Sequence, residues 1–145
     1  MGHEILTYRG RSAIINDFDF VAVRHFLLIA SEAARLGEVT TFVAGWIWEG
    51  PGVWTGEDLD VFLHGDETVE QRFSTALEAA LAHVLAFGER FPPGYLEKHA
   101  KLSECSRAGE DGSRWGSEMR TGPVADAMGQ IRDLLSKSAP LAPTP

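Results

Sequence analysis

Carboxylates and tryptophans are concentrated in one part of this sequence, between residues 46 and 70. Three of the four tryptophans, Trp46, Trp48 and Trp54, lie within nine residues of one another. Tryptophan combines a large apolar area with an N–H donor, which suits the anchor of a protein interface. Neighbouring carboxylates attract a basic partner and pair with its Arg or Lys side chains. The residues predicted to contact such a partner are Trp48, Glu49, Trp54, Glu57, Asp58, Asp60 and Asp66.

The same tryptophans also fit an ordinary folded core. Trp46 and Trp48 would then lie beneath a helix, with the carboxylates on a solvated rim. Trp54 follows the turn predicted at Gly50-Pro51-Gly52, where we expect an exposed ring. The sequence leaves the burial of Trp46 and Trp48 open, so Trp48 and Trp54 stand as the predicted anchors.

A smaller set of residues has the chemistry of a divalent metal site. Asp58, Asp60 and His64 would share one side of a strand predicted over residues 58–64, and carboxylate with imidazole suits a divalent cation. Positions 59, 61 and 63 are apolar, which is equally typical of a half-exposed strand. No HExxH, paired CxxC or EF-hand pattern occurs. We therefore predict no cofactor, and keep these three residues as an alternative metal site.

Support for covalent or acid–base catalysis is thin. The segment around Ser117 lacks the second glycine of a nucleophile elbow, and no phosphate-binding loop occurs. Cys105 is the only cysteine, and a free cysteine is more commonly incidental than a nucleophile. His25 falls on the first predicted helix, where a satisfied or partly exposed ring is the usual case, and His83 lies off the apolar face of the long helix, where we expect a solvated ring. These features favour a binding protein over an enzyme.

The charge of the chain is negative and unevenly placed. The formal net charge is -8, and no Lys or Arg occurs between Arg35 and Arg72. Such a surface repels nucleic acid and anionic lipid and attracts cationic partners. The carboxylates in that interval are Glu38, Glu49, Glu57, Asp58, Asp60, Asp66, Glu67 and Glu70.

Length and cysteine content limit the class of protein. The 145 residues suit one domain over 1–136, followed by a flexible Pro/Ala-rich tail over 137–145. A single cysteine fits a reducing compartment, and the start of the chain lacks the pattern of a secretory signal. The longest apolar run, over 18–30, contains Asp19, Arg24 and His25, which argues against a membrane span. We expect a soluble protein of the bacterial cytoplasm.

Periodicity predicts the elements that would position these residues. Residues 3–8 and 11–16 form a predicted hairpin, followed by a buried helix that starts at Asp17 or Asp19 and stops at Gly37. Strands are predicted over 39–49, 53–55 and 58–64. A long helix is predicted over 67–87 with Asp66 or Thr68 as its cap, then a short helix over 95–102 and a final helix led by Pro123.

Strands therefore come early and helices late, which favours the α+β class. We predict a small, mostly antiparallel sheet packed against two long helices, with a C-terminal helix. The profile fits best an acidic inhibitor or immunity-type protein that occludes a basic partner, such as a toxin or nuclease. The alternatives are a small enzyme or ligand- or metal-binding domain that uses Asp58, Asp60 and His64, and a structural protein that self-associates as a homodimer.

Overall fold

Among the residues that the structure describes, two of the three strands of a small sheet come first in the chain, and two long helices pack on the sheet. The computed structural model describes residues 3–46, 55–100 and 119–136. The strands are β1 (His3–Tyr8), β2 (Arg11–Asn16) and β3 (Thr55–Asp58). The helices are α1 (Asp17–Ala33), α2 (Gly37–Ala44), α3 (Asp60–Leu63), α4 (Glu67–Leu85), α5 (Tyr95–His99) and α6 (Thr121–Leu135).

The predicted hairpin is confirmed. β1 and β2 pair antiparallel from His3 opposite Asn16 to Tyr8 opposite Arg11. The two-residue connection has a positive φ at both positions, 53° and 79°, as a turn of type I′ requires. Gly10 adopts this conformation without strain because it has no Cβ, whereas the Cβ of Arg9 makes the same conformation less favourable.

The third strand makes the sheet mixed rather than mostly antiparallel. β3 pairs in parallel with β1, so the strand order is β2-β1-β3. The chain reaches the far edge of β1 only after α1 and α2, as a parallel pairing requires a long connection. Gly56 is needed at this edge, because a Cβ there would lie 2.7 Å from the carbonyl oxygen of Ile5.

One face of the sheet forms a core with the helices. Alternation along β1 buries Leu6 and Tyr8, and β2 contributes Ala13 and Ile15 to the same side. α1 packs against α2, α4 and α6, and α4 packs against α6. The largest fully buried side chains of the described residues are Trp46, Tyr8, Phe20, Phe26, Phe73, Leu6, Ile15, Leu27, Leu59, Leu63 and Leu77.

The strand predicted over 39–49 is wrong in its described part, which is the helix α2. Val39 and Val43 are buried at a spacing of four residues, so the apolar pattern fits one helical face as well as a covered strand. Trp46 follows the helix, is 1% exposed and stacks on Phe20 with 5.6 Å between ring centroids. The predicted turn at 50–52 and the remainder of this strand, residues 47–49, lie outside the described residues, as do positions 53–54 of the short strand.

The strand predicted over 58–64 is also wrong. β3 ends at Asp58, whose Oδ1 accepts a hydrogen bond from the Asp60 backbone N–H at 2.9 Å. This local hydrogen bond turns the chain into α3, since an aspartate that binds the amide two residues on mimics a turn. Leu59 and Leu63 are buried four residues apart, as on one face of a helix. The apolar residues at 59, 61 and 63 therefore recur at every second position without forming a strand.

The long helices are confirmed, with caps that partly differ from the prediction. Asn16, rather than Asp17 or Asp19, caps α1 by accepting a hydrogen bond from the Phe18 N–H. Asp66 caps α4, one of the two caps predicted for it.

Beyond α1, the chain leaves the helix through Arg35 in a left-handed conformation, so Gly37 is not the stop and instead begins α2. The α+β class is confirmed. Among the described residues, no helix is both long and apolar enough to cross a membrane.

Candidate functional site

Four of the predicted contact residues lie in one loop, which we call the acidic loop (residues 57–66). It runs from the end of β3 through α3 to the cap of α4. It therefore brings together Glu57, Asp58, Asp60 and Asp66. The other predicted contact residues, Trp48, Glu49 and Trp54, lie outside the described residues.

Three carboxylates of the acidic loop accept backbone hydrogen bonds. Besides the bond of Asp58 to the Asp60 N–H, both carboxylate oxygens of Asp60 accept from the Arg9 N–H, at 3.3 and 3.2 Å. Asp66 accepts from the first turn of α4, at 2.9 Å from one amide and 3.3 Å from the next. These carboxylates are thus held in fixed positions while Asp58 and Asp66 remain exposed.

Buried contacts hold the acidic loop on the sheet. The Leu59 N–H donates to the Thr7 carbonyl at 2.8 Å, which extends the pairing of β3 by one residue. The Gly65 N–H donates to the Tyr8 hydroxyl at 3.1 Å. Burial, followed by the charge and hydrogen bond of Glu70, raises the pKa of Tyr8, so its hydroxyl stays protonated as a donor to that carboxylate.

The middle of the acidic loop presents an apolar side chain to solvent. Val61 on α3 is 66% exposed, although in the acidic loop it follows Glu57, Asp58 and Asp60 and precedes Asp66. Its neighbour Phe62 instead stacks on Phe42 of α2, with 4.5 Å between centroids. His64 ends α3 in a left-handed conformation, with φ at 50°. The acidic loop is therefore anchored to the sheet, and it exposes a valine that lies between carboxylates in the sequence.

The alternative metal site loses its geometric basis. Asp58 ends β3, Asp60 begins α3 and His64 follows α3, so the three do not share one side of a strand. In the ranges 3–46, 55–100 and 119–136, no group of three or more His, Cys, Asp and Glu side chains is placed to hold a metal ion.

A second group of polar side chains lies where α1, α4 and α5 meet, which we call the histidine–aromatic cluster. Tyr95 stacks parallel to Phe26, and its hydroxyl lies 3.3 Å from His25 Nε2. His83 meets Phe26 edge-on, with 5.0 Å between centroids, and is half-buried rather than solvated as predicted. The members of the cluster are His25, Phe26, His83, Phe87, Phe91, Tyr95 and His99.

Sequence reasoning missed this cluster because each histidine was judged alone. Phe87, Phe91, Tyr95 and His99 recur every four residues, but Pro92 and Pro93 interrupt them and hide the pattern. The contact of His25 with Tyr95 spans 70 residues of sequence. The spacing of the aromatic residues was the one signal that pointed to a shared surface.

Two titratable side chains of the cluster, His25 and Tyr95, are held neutral near pH 7. Burial, and then the nearby His99, His83 and Arg24, lower the pKa of His25 to about 4. Burial raises the pKa of Tyr95. A general base works best with a pKa near the operating pH, so this pair is poorly matched to acid–base catalysis.

Comparisons of the chain with protein-family models, with curated proteins and with solved structures found no match. Function is therefore inferred from the residues and contacts of the molecule itself.

Proposed function

We propose that this chain is a protein-binding module whose acidic loop docks on a basic partner, as an inhibitor or immunity-type protein would. The observation that supports it most is the exposure of Val61, which lies between Asp60 and Asp66 in the sequence of a loop anchored to the sheet. An apolar contact surrounded by charges is the usual anatomy of an interface centre and its rim.

Fixed carboxylates favour this role. A side chain that is already held by backbone donors loses less conformational freedom when a partner pairs with it. Asp58 and Asp66 use one oxygen each in the hydrogen bonds given above, which leaves the second oxygen of each for an Arg or Lys of the partner.

The charge of the chain favours association with a cationic surface. With a net charge of -8 and no Lys or Arg between positions 35 and 72, the acidic loop lies in the most negative interval of the sequence. Complementary charge raises association rates and makes binding sensitive to salt. A toxin or nuclease that binds nucleic acid through a basic surface has the matching property, and occlusion of that surface would inhibit it.

Two exposed apolar residues allow a matched test. Val61→Lys places a cation at the centre of the acidic loop, whereas Leu85→Lys makes the same kind of change at the end of α4, where Leu85 is 57% exposed. Basic proteins retained by the immobilised chain from a lysate of its own organism would be identified, purified and titrated by calorimetry. Circular dichroism would verify that both variants fold.

The expected result is a purified basic partner whose affinity falls at least tenfold with Val61→Lys and stays within twofold with Leu85→Lys. Its affinity should also fall between 50 and 300 mM salt. Retention of no basic protein, or equal affinity for Val61→Lys and the unchanged chain, would reject the acidic loop as the docking surface.

A further inference from the structure

We infer that the histidine–aromatic cluster is an acid-sensitive attachment, which holds α5 on α1 and α4 at neutral pH and releases it when His25 takes up a proton. The inference is independent of the proposed function, because the acidic loop contributes no residue to the cluster.

Tyr95 makes the aromatic contacts that join α5 to α1. Tyr95 stacks on Phe26 with 5.9 Å between centroids and an angle of 4°, and it meets Phe87 edge-on at 5.1 Å. Its hydroxyl pairs with His25, and its ring lies 4.6 Å from that of His99 one turn later. Any change in these histidines therefore acts directly on the residue that fixes α5.

α5 has little stability of its own. It has only five residues, its N-cap is Gly94 with φ at 70°, and no side chain caps its first turn. A single helical turn is unstable in water without tertiary contacts. Tyr95 and the buried Leu96 and Ala100 supply those contacts, so loss of the packing should free the turn as a unit.

Among the described residues, the charges that lower the pKa of His25 come from all three helices and belong to basic side chains. Arg24 precedes it on α1, His83 faces it from α4, and His99 faces it from α5 with the uncharged Tyr95. The exposed ring of His99 lies 4.6 Å from that of Tyr95. A proton on the partly buried His25 ring is therefore disfavoured by burial and by these neighbours, so protonation of His25 weakens the attached state.

The sign of the pH effect follows from linkage. The pKa of His25 is lowered to about 4 in the attached state and would return towards 6.5 in water. The released state therefore binds more protons between these values, and release becomes more favourable as the pH falls through that window. Release at pH 5 should be roughly 10- to 30-fold more favourable than at pH 7.5.

Hydrogen exchange of the full chain tests this directly. Protection factors for peptides covering residues 92–100 would be measured at pH 7.5 and pH 5, with peptides of α4 as the internal reference for global unfolding. We expect protection of α5 to fall at least tenfold relative to α4. Equal protection of α5 at both pH values would overturn the inference.

Variants separate the histidines from general acid sensitivity. His25→Gln keeps a neutral polar group, and His99→Gln removes a neighbouring charge without changing the buried packing, so each should reduce the pH effect on α5. His64→Gln changes an exposed histidine of the acidic loop and should leave the effect intact. If both cluster variants retain the full pH effect, or if His64→Gln abolishes it, histidine protonation in the cluster is not the cause.

Discussion

The side chain of Arg24 on α1 ends the helix α2, which lies twenty residues further along the chain. Its Nε donates to the Trp46 carbonyl at 3.1 Å and its Nη2 donates to the Ala44 carbonyl at 2.8 Å. Arg24 is 4% exposed, and its buried charge is stabilised by hydrogen bonds to carbonyls at the end of α2 that no helical amide can satisfy. An arginine within an apolar helix therefore fixes the position of α2 and of the buried Trp46.

Replacement of Arg24 should cost much of the stability of the fold. Arg24→Met removes two charge-assisted hydrogen bonds and leaves buried carbonyls unpaired, which should lower the free energy of unfolding by about 2–4 kcal/mol. Urea denaturation measures this. The control is Arg132→Met, because Arg132 pairs with Glu78 on the surface, where we expect little change. A loss below about 1 kcal/mol for Arg24→Met would show that water satisfies these carbonyls.

Arg35 is the residue at which a glycine should stabilise the protein. The Leu36 N–H binds the Ser31 carbonyl at 2.8 Å and the Arg35 N–H binds the Glu32 carbonyl at 3.1 Å, which is the Schellman pattern of helix termination. Arg35 has φ at 57°, a conformation that costs a residue with a Cβ about 1 kcal/mol. Arg35→Gly should therefore raise the unfolding free energy by about 0.5–1 kcal/mol, measured in urea. Destabilisation would mean that the Arg35 side chain makes a compensating contact.

Gly56 and Gly129 should respond to alanine with opposite signs. A methyl group at Gly56 would meet the Ile5 carbonyl oxygen at 2.7 Å, so Gly56→Ala must separate β3 from β1 and should cost about 1–3 kcal/mol. At Gly129, inside α6, nothing lies within 4 Å of the added carbon. Gly129→Ala should gain about 0.5–1 kcal/mol from helix propensity. Thermal and urea unfolding of both variants check the pair, and a neutral Gly56→Ala would contradict the close parallel pairing.

Local sequence patterns predicted the elements that are long enough to show a period. The hairpin alternates over six residues in each strand, and α4 repeats its apolar face over 19 residues. α2 and α3 have only eight and four residues, and apolar residues at 59, 61 and 63 fit a strand as well as a helical turn. Short buried segments were therefore assigned the wrong period, while the fold class depended on the long ones and was correct.

The two candidate sites also differ in how far the sequence could predict them. The carboxylates of the acidic loop are close in sequence, so their proximity was predictable, but their backbone hydrogen bonds to Arg9 and α4 depend on the turn at Asp58. The histidine–aromatic cluster joins residues that are distant in sequence. No local pattern places Tyr95 against His25, because that contact exists only after α1, α4 and α5 have packed.

Asp19 should make the protein less stable as the pH rises. Burial, and then the charge of Asp126, raise the pKa of Asp19 from 3.8 to about 6, so the folded state binds its proton more tightly than the unfolded chain does. The contribution of Asp19 to the free energy of unfolding is therefore fully present below pH 3.8 and is lost as the pH rises through 6. The contribution of His25 changes in the opposite direction, because it is lost as the pH falls. The loss for Asp19 is on the order of 1 kcal/mol, since the partial exposure of Asp19 screens the charge.

Urea titrations at pH 4 and pH 7.5 should show that Asp19→Asn gains stability over the unchanged chain only at the higher pH. Asp126→Asn should show part of that gain, and Asp133→Asn, an exposed carboxylate of α6, should show none. An equal effect of Asp19→Asn at both pH values would mean that the Asp19 carboxylate is solvated in the folded protein.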